Sequence, residues 1–255
     1  MSTMELQRRT LAEREHRPWP LPDRPWLQAQ TWINLLFAHW RASAEALQRV
    51  MPPQLSPDVR DGSGWIGVTP FRVEGFRMHG MPPVPYLSGF CELNVRTYVT
   101  VNGKPGIYFL SLDAARLAAV VAARRSYRLP YFHARMSMDI AGGEVHYRSR
   151  RISRDGPPAS FAGCYRATEP PLDYPDGSLD RWLTERYCLY VVDKRGRILR
   201  GDIHHPPWPL QPAAAEIELN TMAAALGIEL EGEPLLHFSA RQDTVIWNEA
   251  PVDGE

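Results

Sequence analysis

Alternation of apolar and polar positions with a period of two dominates this chain, and it predicts more strands than helices. The clearest stretch is FCELNVRTYVTVNGKPGIYFLSLD at 90–113. Two strand-like runs flank NGKPG, and Asn-Gly supplies the positive φ that a tight hairpin needs. YFHARMSMDI and VHYRSRRIS, joined by AGGE, predict a second hairpin, and CLYVVDKRGRILRGDI at 188–203 a third around DKRG. WINLLFAHW at 32–40 reads as a buried strand, and 159–168 as another. DGSGWIGVTPFRVEGFRM at 61–78 opens on a turn and continues as a strand, in which Pro70 and Gly75 mark an edge or a bulge. LLHFSA and DTVIWN read as a closing pair of strands.

Helical patterns are short and interrupt this order. Ser43 caps a predicted helix ending before Pro52-Pro53, and Ser178 another over SLDRWLTERY. AARLAAVVAARR at 114–125 is alanine- and leucine-rich, with Asp113 placed to cap it. AAEIELNTMAAALGI at 214–228 reads as mostly helical, stopping near Gly227. Residues 1–15 suit a polar helix that nothing fixes in place, and RPWPLPDRPW, with four prolines, an extended arm anchored by its tryptophans. The fold class expected is α+β: a mainly antiparallel, barrel-like or sandwich sheet with short helices. No linker divides the chain, so the expected organisation is an N-terminal arm, 1–19, of which residues 1–16 are loosely attached, and a single domain, 20–255.

Strand alternation puts Phe90, Glu92, Asn94, Arg96 and Tyr98 on one face and Cys91, Leu93, Val95, Thr97 and Val99 on the other. The second face is core. The first is either a solvated outer face, common in antiparallel sheets, or the wall of a cleft or barrel interior. Inside, its charges need partners or a ligand, because an isolated buried charge is very costly. The junction ARRSYRLPYFHA at 123–134 offers a second group. Arg124 and Arg125 end a helix, where cations suit the dipole, and Tyr131, His133 and Arg135 share a strand face.

Composition narrows the chemistry. The 29 basic and 29 acidic residues balance, so no global field favours nucleic acid or an anionic membrane. Only Lys104 and Lys194 are lysines, both in predicted turns. Cys91, Cys164 and Cys188 have no ligand spacing, which disfavours a disulfide framework or zinc knuckle and suits a reducing, cytoplasmic setting. His204 and His205 point to opposite faces of a strand, so no metal site is expected, nor any cofactor. The patterns GxSxG, HExxH, GxGxxG and the P-loop are absent, as are an apolar leader and a membrane-length run.

The series of a strand ending in Asp113, an alanine-rich helix, Arg124, and then LPYFHA resembles acetoacetate decarboxylase, and FCELNV resembles the strand that carries an acidic active-site residue there. PFRVEGFR, GFCELNVRTYV, GIYFLSLDA, RLPYFHARM and HHPPWPLQ are similar to an uncharacterised bacterial, YqjF-like branch of that superfamily. The likeness spans roughly residues 20–248. It implies a closed or nearly closed antiparallel barrel around a central cavity, with Glu92 facing inward. It also implies a departure: Tyr131 and Phe132 stand where the decarboxylases carry a lysine pair, and neither forms an imine.

The expected function is binding of a small organic anion, a carboxylate or keto acid, in that cavity. Glu92 and Tyr131 would supply acid–base chemistry, and Asn94, Arg96, Tyr98, Arg124, Arg125 and His133 would line the ligand site. A non-catalytic binding or regulatory module is the alternative. Whether a reaction occurs, and whether the chain forms a homo-oligomer, stays open at this stage.

Overall fold

The computed structural model describes residues 2–85, 88–126 and 128–252, without the side chains of 122, 123, 125 and 126. The first strands, β1 (Gln28–Ala42), β2 (Gly64–Met78), β3 (Gly89–Val101) and β4 (Lys104–Ala114), form an antiparallel run. β5 (Tyr131–Ala141), β6 (Glu144–Arg151) and β7 (Ser160–Ala167) follow, then β8 (Cys188–Val192), β9 (Ile198–His204), β10 (Gln211–Asn220) and β11 (Leu235–Pro251). All belong to one sheet in the order β1-β2-β3-β4-β5-β6-β7-β10-β11-β9-β8, and β1 also pairs with β11 and β4 with β8. Two rings result, sharing β11 and β1 to β4. The smaller is completed by β8 and β9, the larger by β5, β6, β7 and β10. β4 meets both β5 and β8 in parallel, so the sheet is mixed.

The helices are α1 (Thr3–Arg9), α2 (Ala44–Val50), α3 (Leu117–Ser126) and α4 (Leu179–Thr184), with Ser43 and Ser178 capping α2 and α4 as expected. None of the helices described is long and apolar enough to cross a membrane.

The shared wall has two buried faces. Cys91, Leu93, Val95 and Val99 of β3 pack with Tyr147, Phe161, Tyr165 and Phe238 inside the larger ring. The alternate positions turn into the smaller ring, beside Ile107, Leu112, Leu189, Ile203 and Ile246. Asn102 (φ 50°) and Gly103 (φ 72°) make the β3–β4 turn in the left-handed conformation that this hairpin requires. Pro70 and Gly75 mark irregularities inside β2, which is paired on both sides and is therefore no edge. Pro70 falls where the β1 register lapses between Ile33 and Ala38, so its missing N–H costs no ladder bond.

Four expectations are corrected. The 214–228 segment is not mostly helical. Its first half lies in β10, where pairing with β7 from Ala213 to Asn220 outweighs the few tenths of a kcal/mol per residue that favour helix. Only a 3₁₀ turn, Ala224–Leu226, follows, ended by Gly227 at φ 77°. LLHFSA and DTVIWN are one strand, because the Arg241-Gln242 pair between them holds no turn residue and pairing with β1 runs through it.

Asp113 does not cap α3. It is fully buried in β4 and receives Nε and Nη2 of Arg151 at 3.0 and 2.7 Å. The ring of Phe132 lies 4.0 Å from the Arg151 guanidinium, so the pair ties the ends of β4, β5 and β6 together. The N-terminal segment is not loosely attached either. Gln7 is fully buried, its amide donating to Thr31 and to the Gly75 carbonyl and accepting from Arg77 Nε at 2.7 Å. Arg17 then bonds the Ile203 carbonyl, and Trp19 donates to Asp202.

The buried pair predicts a contrast in stability. Asp113→Ala strands the Arg151 charge and should cost about 3–5 kcal/mol in urea unfolding. Arg148→Ala, which removes an exposed pair with Glu218, should cost less than ~1 kcal/mol.

Candidate functional site

The smaller ring encloses a cavity of about 320 Å³. Among the described residues its charged groups stand on β3, where the period of two points Glu92, Asn94 and Arg96 inward in a row. Tyr131 joins them from the start of β5. The parallel pairing of Leu112 with Tyr131, and the bond from Leu112 N–H to the Pro130 carbonyl, bring the junction beside β3. Most of the remaining wall is apolar. Trp32, Phe71 and Trp208 form one aromatic cluster, Trp32 stacking on Trp208 with centroids 5.8 Å apart. Ile107, Leu189 and Ile246 close the far side.

Glu92 is 5% exposed. The Tyr131 hydroxyl lies 3.3 and 3.2 Å from its two oxygens and donates to the carboxyl group. Burial dominates its titration and pushes the pKa up to about 7, against the opposing effect of hydrogen bonds from Tyr131 and Asn94. Arg96 is also buried. One of its nitrogens donates to the Leu183 carbonyl at 3.0 Å, and its guanidinium lies 5.0 Å from the centre of the Phe37 ring. Its Nε has no hydrogen-bond partner, and among the described residues no carboxylate forms an ion pair with it. Glu92 and Arg96 thus share one cavity without neutralising each other.

The remaining expected residues fall elsewhere. Tyr98 is buried behind the lining, its hydroxyl 2.7 Å from His39 Nε2 and its ring under the Arg186 guanidinium. Burial, then the charges of Arg96 and His237, hold His39 well below the usual histidine range and so neutral. Arg124 is partly exposed and points away from the cavity: it bonds the Tyr131 carbonyl and Asp155. It holds the backbone of Tyr131 without reaching the site. His133 does not line the cavity, and its backbone is pinned by Ser153 and Ile152. The Arg125 side chain lies outside the described residues. Lys104 and Lys194 sit at hairpin turns, and neither borders the cavity.

Sequence reasoning missed Gln28, Gln30 and Thr69 in the lining. The first two continue the period of Trp32 backwards along β1, a signal that was legible. Trp208 packs edge-on against Phe37 and also forms cavity wall. Among the described residues no group of three or more His, Cys, Asp or Glu is arranged to hold a metal.

A family model described as an uncharacterized conserved protein, DUF2071, matches residues 29–243. The uncharacterized protein YqjF of Bacillus subtilis (strain 168) is 44% identical over 228 residues, covering 89% of this chain and 93% of YqjF. Among solved structures, acetoacetate decarboxylase from Legionella pneumophila aligns with a TM-score of 0.61 at 12% identity, covering 93% of each chain. An acetoacetate decarboxylase-like enzyme from Sphingomonas wittichii RW1 also reaches 0.61, at 12% identity over 90% of this chain and 94% of that one. The enduracididine biosynthesis enzyme MppR, complexed with the condensation product of pyruvate and imidazole 4-carboxaldehyde, reaches 0.60 at 11% identity over 93% and 92%. The fold is therefore that of the acetoacetate decarboxylase-like proteins.

The raised pKa of Glu92 predicts how stability varies with pH. Between its unfolded value, about 4.3, and about 7, the folded state binds more protons than the unfolded one. Stability contributed by the neutral carboxyl is fully present below that window and is lost as pH rises through 7. The expected loss is on the order of 3 kcal/mol. Urea unfolding of the wild type and Glu92→Gln from pH 4 to 8.5 checks this. The variant should lack the decline.

Proposed function

The chain belongs to the DUF2071 family, and from that premise we propose that it binds a small organic anion, a carboxylate or keto acid, inside the smaller ring. One observation carries the reading: Arg96 is buried on the cavity wall with no carboxylate partner among the described residues. A buried guanidinium without a counter-ion is costly, and a ligand carboxylate offers the charge-assisted contact that offsets the cost. MppR, whose ligand derives from pyruvate, shares the fold and lends the reading support by analogy alone.

Glu92, poised near neutrality, would exchange a proton with the bound ligand, and Tyr131 would act as proton donor beside it. Imine chemistry has no seat in this account, since neither Lys104 nor Lys194 borders the cavity. The same observation favours a second reading, a binding module in the same fold that performs no reaction. A cytoplasmic location suits the three unpaired cysteines.

Calorimetric titration with pyruvate and acetoacetate tests the proposal. Arg96→Ala should weaken binding at least about tenfold, on the scale of one charge-assisted contact. Wild-type affinity should fall as pH rises through about 7, because an ionised Glu92 repels the ligand anion, and Glu92→Gln should remove that fall. Borohydride reduction in the presence of either acid should leave no adduct on Lys104 or Lys194. Turnover followed by NMR separates the enzyme from the binding module. Absence of saturable binding by any organic carboxylate would end the proposal.

A further inference from the structure

The cavity holds far more apolar wall than a keto acid of three or four carbons can cover. At ~30 Å³ per water, its 320 Å³ corresponds to roughly ten waters. This is the lower end of the range, ~300–1,000 Å³, typical of sites for drug-sized ligands. The charged groups among its described lining are confined to one strand: Glu92 and Arg96 both lie on β3. Facing them are side chains with no polar atom, from Leu112 of β4, Leu189 of β8, Ile203 of β9 and Ile246 of β11. The indole N–H of Trp32 is already engaged by Gln30 Oε1 at 2.9 Å, which leaves its ring as apolar surface.

We infer that the ligand is an amphipathic monocarboxylic acid, whose carboxylate meets Arg96 and whose aliphatic or aryl body fills the space between the β3 row and the aromatic cluster of Trp32, Phe71 and Trp208. The inference rests on the anion-binding reading above and names the class within it. Two features carry it. A short acid would leave the opposite wall facing water or empty space, whereas an apolar body removes that wall from water, worth about 25 cal/mol per Å². A dicarboxylate is disfavoured because, among the described residues, the lining offers one arginine, and its other charged group is an acid. A second ligand carboxylate would be buried against Glu92 or against hydrocarbon.

The test is calorimetric titration of the full-length protein at pH 6 with straight-chain monocarboxylic acids from butyrate to decanoate. 3-Phenylpropionate, adipate and the methyl ester of the best acid complete the set. Affinity should rise about three- to fourfold per added methylene and then level or fall once the cavity is full. Adipate and the ester should each bind at least about tenfold more weakly than the best monocarboxylate. Arg96→Ala should bring acid and ester to the same affinity. Ile203→Phe, which narrows the far wall, should move the optimum to shorter chains. The wild-type series decides the matter even where that variant fails to fold. Binding of butyrate with no gain along the series, or adipate equal to the best monoacid, would overturn the inference while leaving anion binding intact. Binding of none of these acids, nor of pyruvate and acetoacetate, would overturn both.

Discussion

Desolvation of the Glu92 carboxyl is the constraint on which the rest of the site depends. The group is nearly inaccessible, faces a largely apolar cavity, and has its hydrogen-bond support from Tyr131 and Asn94 rather than from a cation. In water such a carboxyl ionises near pH 4; here burial holds the proton until about pH 7. The elements around it build that apolar enclosure. The smaller ring must close, through the β1–β11 and β4–β8 pairings, for the walls to meet. Tyr131 must arrive at a fixed height, which the Leu112–Pro130 bond and the Arg124 contact with its carbonyl enforce. Below it, the Asp113–Arg151 pair and the Phe132 ring anchor the junction to β4 and β6.

The chemistry of the β3 row was legible in FCELNVRTYV, because a strand sorts its residues by parity whatever it pairs with. Which side faced inward was not legible in the alternation itself; the family resemblance alone implied that Glu92 turns inward. A solvated outer face and a cavity wall carry the same alternation, and the difference lies in β1–β11 pairing across some two hundred residues of chain, which no local pattern encodes. The same reasoning explains Arg124. A helix-terminal arginine beside a candidate site reads as a ligand contact, yet its partner Asp155 comes from the connection between β6 and β7, invisible to local reading. Asp113 sat where a helix cap belongs, and a buried arginine three elements later claimed it. In β10, helix-favouring residues yielded to the neighbouring β7, while in β11 the missing turn residue was a readable signal.

Solved structures with the same fold at about one-tenth identity show that very different side chains can fill such a ring of strands. In this chain the junction presents a phenol to a carboxyl group, and the nearby arginine is left without a protein counter-ion among the described residues. An acid and a cation held apart in one apolar enclosure form a site whose charge balance changes with one proton.

Direct titration of that proton tests the account most closely. Infrared difference spectra between wild type and Glu92→Gln, recorded across pH with carboxyl-labelled glutamate, isolate the C=O band of one protonated side chain. The account predicts that this band persists through the ordinary carboxylate range and disappears with a midpoint near pH 7. A midpoint near pH 4.3, the value of a solvated glutamate, would mean that water or a cation reaches Glu92 and would contradict the desolvated site.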